Sequence, residues 1–302
     1  MKSYSTLLQL AEELNCPALQ NESMSKHTTF KIGGNADVFI TVPSKDALCR
    51  LVRLCRGEDI PVFLLGNGSN LLVSDQGIRG AVLALCGEFE KIRLVDETTI
   101  ECGAAVTLAK LCQFALKESL SGLEFAWGIP GSVGGAAYMN AGAYGGEMKD
   151  VLLSCYHVTP DGVPGTLKKE ELDLSYRHSA YTDNGCVITS VKVGLKRENP
   201  LLIRERMEDY MARRKSKQPL EFPSAGSVFK RPAGYFAGAL IEGCGLKGKR
   251  VGGACVSDKH AGFIINDKNA TCRDVENLVR EIQETVREKT GVSLECEIKT
   301  VR

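Results

Sequence analysis

Pro61-Val-Phe-Leu-Leu65, then Gly66-Asn67-Gly68-Ser69-Asn70, then Leu71-Leu-Val73: an apolar run breaks into five polar and glycine residues and resumes as a second apolar run. The flanks read as strands, the first of them buried. Two glycines in the break let the backbone come close to a ligand, and successive N–H groups there can form an anion-binding nest. The same residues also fit a plain hairpin turn, for which Asn-Gly is a common choice. Working outward, Leu48, Leu51, Val52 and Cys55 recur at helical spacing, with Ser44 to cap the helix and Gly57 to stop it. Leu108, Leu111, Cys112, Ala115 and Leu116 predict a second helix behind Thr107, and Val187 to Leu195 a strand. Glu198-Asn-Pro200 reads as a boundary, followed by a basic helix over 204–217. Val275, Leu278, Val279, Ile282 and Val286 form one face of a long helix. Thr271 and Asp274 can open that helix with a capping box, and Gly291 can close it. A strand over 293–301 ends the chain. Strands alternating with helices in this way indicate an α+β or α/β protein.

A chain of 302 residues has room for two or three domains. A net charge of +1 argues against a general nucleic-acid binder, while leaving room for local basic pockets. Twelve cysteines occur without any C-x-x-C, mostly inside apolar stretches where Cys behaves as a small hydrophobe. No metal site is expected from that spacing. Residues 1–14 lack the apolar core of a signal peptide, and no run approaches the ~18 apolar residues of a membrane span. A cytoplasmic protein with reduced thiols and no membrane insertion is expected.

Glycine clusters again at Gly128-Ile129-Pro130-Gly131-Ser132-Val-Gly134-Gly135 and at Asn140-Ala141-Gly142-Ala-Tyr-Gly145. So much Gly and Ala builds little core and suits backbone packed against a flat or phosphorylated ligand. The interleaved Val133, Ala136, Tyr138 and Met139 argue that the segment is ordered. It is no dinucleotide fingerprint, because no G-x-G-x-x-G opens a helix after a strand. The G-x-x-x-x-G-K match at 243–249 is a decoy: Arg250 replaces the Ser or Thr that would hold Mg²⁺, and Phe236 to Ile241 before it reads as helix. Pro223 to Pro232 places Ser227 beside Gly226, just after the basic stretch 213–217, with no G-x-S-x-G elbow for a hydrolase nucleophile. The nearby cations favour phosphate binding.

Together with Thr28-Thr-Phe-Lys-Ile-Gly-Gly34, Tyr176-Arg177, Gly226-Ser-Val-Phe-Lys230 and Leu294-Glu-Cys-Glu297, these segments resemble, in order, the successive motifs of the UDP-N-acetylenolpyruvoylglucosamine reductase family, in its shorter form without an extra tyrosine-bearing loop. The resemblance runs from about residue 25 to the C-terminus. It implies an α+β protein with a two-part FAD-binding domain of the vanillyl-alcohol oxidase (PCMH) type, at 1–80 and 81–200, and a C-terminal α+β substrate-binding domain at 201–302. It further implies non-covalent FAD, with the pyrophosphate on 66–70 and 128–135, and NADPH as the reductant. The substrate would be a UDP-linked enolpyruvyl sugar, reduced to UDP-N-acetylmuramate, a peptidoglycan precursor. A monomer is expected.

By matching residues, the resemblance assigns Arg177 to the substrate carboxylate, Ser227 to proton donation and Glu297 to the acid on the carboxylate side. Tyr176, Lys217, Lys230 and Arg231 would contact the substrate. Two positions depart from the family: Arg231 stands where Asn is usual beside the phosphates, and Asp258 where Glu is usual. The alternatives are another FAD-dependent oxidoreductase of this fold acting on a sugar or lactone, and a non-catalytic sugar-nucleotide binding module.

Overall fold

The structure, a computed structural model, describes residues 4–302. Residues 1–3, which begin both the segment read for a signal peptide and the 1–80 division, lie outside the described residues. Contacts group the chain into two compact units. The first comprises the described part of 1–20 with 38–67 and 80–213; the second comprises 21–37, 68–79 and 214–302.

The strands on either side of Gly66 to Asn70 do not form a hairpin. Val62–Leu65 pairs in parallel with Ile78–Leu85, at the end of a four-stranded sheet ordered Ala18–Ser23, Asn35–Val42, Ile78–Leu85, Val62–Leu65. Leu71–Val73 pairs instead with Lys299–Val301, in a separate parallel pair. The hairpin reading therefore fails. So does the expectation of a buried first strand: Val62–Leu65 has only one neighbour, and Val62 is 38% exposed. Strand Ile78–Leu85, apolar from residue 81 onward, takes the inner place, as a strand covered on both faces should.

Helix Lys45–Gly57 is capped by Ser44 Oγ, which accepts from the Ala47 N–H at 3.2 Å. It buries Leu48, Leu51 and Cys55 completely. Gly57 is its last helical residue rather than its stop; the reversal falls on Asp59, at φ +52°. Helix Leu108–Lys117 begins at Thr107 as expected. The first unit also contains an antiparallel sheet ordered Pro164–Lys168, Leu152–Val158, Val187–Gly194, Thr99–Gly103, Ile92–Leu94. The basic helix starts earlier than its charge pattern indicates, at Pro200, because proline's fixed φ and missing N–H suit a first helical position.

In the second unit an antiparallel sheet runs Ser224–Ser227, Phe263–Asn266, Ala254–Val256, Arg250–Val251. Helix Cys272–Thr290 contributes fully buried Val275, Leu278, Ile282 and Val286 to its core. Thr271 and Asp274 complete the capping box, and Gly291 ends the helix at φ +74°. The predicted closing strand is shorter than expected: only Lys299–Val301 is strand, and 294–298 runs irregularly with one bridge, Phe229 to Cys296. Among the described residues no helix is long and apolar enough to cross a membrane, and all twelve cysteines are free thiols.

Within the first unit Arg206 of the basic helix pairs with Glu198 and with the buried Glu124. Glu124, 7% exposed, accepts from Arg206 Nη2, the Gly122 N–H and Ser121 Oγ, each at 2.8 Å. Burial opposes ionisation of Glu124, but Arg206 and the N–H donors outweigh it and hold the carboxyl below its usual range. A carboxylate with a depressed folded pKa stabilises above its unfolded pKa, and that stabilisation is lost as pH falls through the folded value. Arg206→Ala is expected to cost about 2 kcal/mol at pH 7, the scale for a lost hydrogen bond to a charged group, because Glu124 keeps its Gly122 and Ser121 donors. Without Arg206, burial would push the Glu124 carboxyl back up, so the deficit should shrink as pH falls. Urea midpoints of both proteins against pH check this; a deficit that grows on acidification would contradict it.

Candidate active site

In the first unit Gly66, which opens one glycine-rich segment, comes close to Ser132 in the other. A Cβ added to Gly66 would lie 2.7 Å from Ser132 Oγ and would push that hydroxyl out of its place. Ser132 caps the short helix Val133–Tyr138 by accepting from the Gly135 N–H. The two segments do not offer donors equally. In the second, the N–H groups of Val133 and Gly134 bond to the carbonyls of Val106 and Ala104, and Gly131 bonds to Ile129. Gly134 is required by protein packing, since its Cβ would meet that of Ala104 at 2.8 Å. In 66–70, by contrast, the N–H groups of Asn67, Gly68 and Ser69 meet no protein acceptor among the described residues. Three successive donors without acceptors fit a diphosphate, so the residues present suit the FAD that the sequence implies. Ile129 and Pro130 lie in the turn before that short helix, and Ala141 and Gly142 follow it.

Asn140 is fully buried, and its side chain is engaged within the protein. Nδ2 donates to Glu147 Oε2 at 2.7 Å and to the Ser175 carbonyl at 2.9 Å, while Oδ1 accepts from the Lys149 N–H at 2.9 Å. Both amide hydrogens are therefore in use, leaving no side-chain donor for a cofactor. The Ser175 carbonyl belongs to a tight turn in which Ser175 and His178 exchange both backbone hydrogen bonds at 3.2 Å. Tyr176 and Arg177 form its tip. Arg177 is half-buried with φ +56°, a conformation that disfavours any residue with a Cβ, and its guanidinium lies 4.9 Å from the Tyr176 ring centre. Strain of this kind persists where the surroundings enforce it, commonly at functional positions.

In the second unit Ser227 ends strand Ser224–Ser227. The register shifts between the pairs Ser224–Ile265 and Ser227–Phe263, leaving a bulge at Ala225 and Gly226. Gly226 takes φ +76°, with open space beyond it. A bulge re-aims the next side chain, and Ser227 Oγ, half-buried, has no protein hydrogen-bond partner among the described residues. Glu297 lies on the adjoining segment, its N–H donating to the Val228 carbonyl at 2.7 Å. Asn70 Nδ2 donates to the Glu297 carbonyl at 3.2 Å, so the end of the glycine loop and Glu297 are tied together. Lys230 pairs with Glu295 at 3.3 Å. Arg231 is exposed, with its guanidinium stacked 4.0 Å over the ring of Phe236. Lys217 is exposed at the end of its helix.

Thr29 carries no sequence-assigned role, although it lies in the Thr28 to Gly34 motif. Its N–H donates to the Gly68 carbonyl at 3.2 Å and its Oγ1 to the Ser224 carbonyl at 2.7 Å. It thus joins the glycine loop to the strand that carries Ser227. The doubled threonine is the only sequence signal for this, and it does not say which carbonyls are reached.

Residues 218–301 match the family profile described as UDP-N-acetylenolpyruvoylglucosamine reductase, C-terminal domain, and residues 36–166 match one described as FAD binding domain. The UDP-N-acetylenolpyruvoylglucosamine reductase of Syntrophomonas wolfei is 50% identical over 281 residues, covering 93% of this chain and 94% of that protein. The chain belongs to the UDP-N-acetylenolpyruvoylglucosamine reductase family. The reductase of the same name from Oceanobacillus iheyensis is 49% identical over 298 residues, 99% of this chain and 96% of that one. Among solved structures, the family's Thermus caldophilus reductase superposes with TM-score 0.82 at 38% identity, covering 95% of this chain and 99% of its own. A variant of berberine bridge enzyme, 13% identical, superposes with TM-score 0.51 over 66% of this chain and 44% of its own, a likeness of fold alone. The fold is α+β: an FAD-binding part of the vanillyl-alcohol oxidase type, followed by the C-terminal domain of this reductase family.

Proposed function

We propose that the protein reduces UDP-N-acetylenolpyruvoylglucosamine to UDP-N-acetylmuramate, with FAD as cofactor and NADPH as reductant. The observation that carries the reading is Ser227: a hydroxyl with no protein partner, set by a bulge beside the segment that holds Glu297. Bound at the N–H groups of Asn67, Gly68 and Ser69, FAD would supply the hydride chemistry between NADPH and the substrate alkene. The chain's own residues deal with what that hydride leaves behind. Addition at the terminal alkene carbon pushes an electron pair into conjugation with the substrate carboxylate. Arg177 holds that carboxylate through a two-bond fork and lowers the energy of the growing charge. Ser227 Oγ gives its proton to the other alkene carbon and regains one from solvent. A neutral hydroxyl is a weak acid, yet it suffices against so basic a carbon. Glu297 serves on the carboxylate side, and Tyr176, Lys217, Lys230 and Arg231 hold the nucleotide.

For FAD, the donors are the N–H groups of Asn67, Gly68 and Ser69, and the family resemblance assigns 66–70 and 128–135 to its pyrophosphate. The segments 66–70 and 128–142 contain neither His nor Cys, the usual points of covalent flavin attachment in this fold. Acid precipitation of the purified protein should therefore release all of its yellow colour. Colour retained in the pellet would overturn the non-covalent assignment.

Three hydrophobic cores support a functional division at 1–80, 81–200 and 201–302. One is built mainly from residues 7–89, one from 100–207, and one from 225–298 joined by Phe30, Ile32 and Leu72. A monomer and a cytoplasmic location complete this reading, the latter because the substrates are soluble nucleotides.

Arg231 distinguishes this chain from the usual family pattern. Stacking on Phe236 restrains its guanidinium, which reduces the entropy lost on gripping a phosphate. Arg231→Asn should raise KM for the sugar nucleotide about tenfold, the equivalent of one charge-assisted hydrogen bond of about 1.5 kcal/mol. It should leave kcat little changed, because the diphosphate is held alike in ground and transition states. Steady-state kinetics at low ionic strength check this; an unchanged KM would remove Arg231 from the substrate.

A further inference from the structure

We infer that Asn140 is a positioning residue that acts through Arg177, fixing the turn that presents the guanidinium to the substrate carboxylate. The inference rests on the role proposed above for Arg177. A fully buried side chain with three hydrogen bonds is unusual for Asn, and these three converge on one neighbourhood. One reaches the Ser175 carbonyl, at the foot of the turn whose tip carries Arg177. The other two hold Glu147 and the Lys149 N–H, which start the helix Met148–Val151. A second stitch lies alongside: Ser179 Oγ, itself fully buried, donates to the Tyr138 carbonyl at 2.6 Å. The turn is thus fastened on both sides of Tyr176 and Arg177, by residues 138 and 140.

Fastening is needed because of the backbone at Arg177. With φ +56° the turn carries strain that an unrestrained chain would relax by rotating the arginine away. Asn140 stands in the left-handed region too, at φ +43°, where Asn is among the best tolerated residues with a Cβ. Outer partners that fix a reacting group commonly matter ten- to a hundredfold, and displacement of a positioned group by about 1 Å can cost a hundredfold in rate.

The test compares half-reactions in Asn140→Ala, Arg177→Ala and the double variant by anaerobic stopped flow. In Asn140→Ala, reoxidation by the enolpyruvyl nucleotide should fall at least about tenfold further than reduction by NADPH. That extra fall should vanish in the Arg177→Ala background, because a residue acting only through Arg177 has nothing left to position. In flavin-free protein, amide exchange at Ser175 and His178 should quicken in Asn140→Ala, while strand Val187–Gly194 keeps its protection. Should Asn140→Ala fail to fold, Asn140→Asp combined with Glu147→Gln takes its place. It keeps an acceptor for Lys149 and relieves repulsion at 147, yet cannot donate to Ser175, so the same extra fall is expected. Half-reactions slowed alike, an effect that adds in full to Arg177→Ala, or unaltered exchange at 175–178 would each overturn the role of Asn140. Arg177→Ala reoxidising at the wild-type rate would instead overturn the reading of Arg177 itself.

Discussion

In Ser227→Ala, reduction of the bound flavin by NADPH should proceed at close to its normal rate, while reoxidation by the enolpyruvyl nucleotide slows by about 10² or more. That is the usual magnitude for a lost general acid. The separation follows from what each half-reaction asks of the side chain. Taking hydride from NADPH needs no proton at the substrate carbon, so a missing hydroxyl has no part in it. Delivering hydride to the alkene leaves a carbon that must be protonated, and in the variant only water remains to do so. The geometry favours a clean result. Ser227 Oγ bonds to no protein group among the described residues, so alanine strands no buried donor or acceptor. The bulge that aims it is built from Ala225 and Gly226 and does not depend on the hydroxyl. Folding stability should therefore change by only a few tenths of a kcal/mol, within the range of neutral substitutions. Stopped-flow traces of the two halves decide the matter; equal slowing of both would make Ser227 a packing or binding residue.

The periodic elements were legible in the sequence because they follow one physical rule, burial of a repeating apolar face. Helices Lys45–Gly57 and Cys272–Thr290 stand within a residue or so of their expected places, down to the Ser44 cap and the Thr271–Asp274 box. The pairing of strands was not legible. Nothing in Leu71-Leu-Val73 announces that its partner lies at Lys299–Val301, over two hundred residues away, and the local Asn-Gly signal points to the wrong neighbour. The same limit explains the site. Ser227, Arg177 and Glu297 are marked by motif, whereas the residues that hold them are marked only by contacts. Asn140 lies in a glycine-rich segment whose composition points to backbone beside a ligand, and nothing in that composition says that its side-chain donors face Glu147 and Ser175, seven and thirty-five residues along the chain. Thr29 and Asn70 likewise meet Ser224 and Glu297 at long range. The strain at Arg177 also leaves no trace in composition, since arginine is not a residue one expects at positive φ.

That strain makes Arg177 the position where stability and catalysis should come apart. Arg177→Ala should slow reoxidation by the enolpyruvyl nucleotide by about 10²–10³, the scale for removing one fixed donor from a developing negative charge. It should also raise KM, because the same fork holds the carboxylate before any hydride moves. Arg177→Lys keeps the charge but presents a single rotatable ammonium in place of the planar fork, so it should recover only part of the rate. Arg177→Gly is the discriminating variant. Glycine has no Cβ to oppose φ +56°, so it should relieve strain of about 1 kcal/mol that Ala retains. The Gly protein should then melt above the Ala protein while reoxidising equally slowly. Half-reaction rates and melting temperatures of the three variants, measured together, separate the outcomes. If Gly and Ala both reoxidise at the wild-type rate, the guanidinium does not touch the reacting carboxylate. If the Gly protein melts below the Ala protein, the turn is held in its left-handed conformation without strain, and the argument from backbone geometry to function at this residue fails.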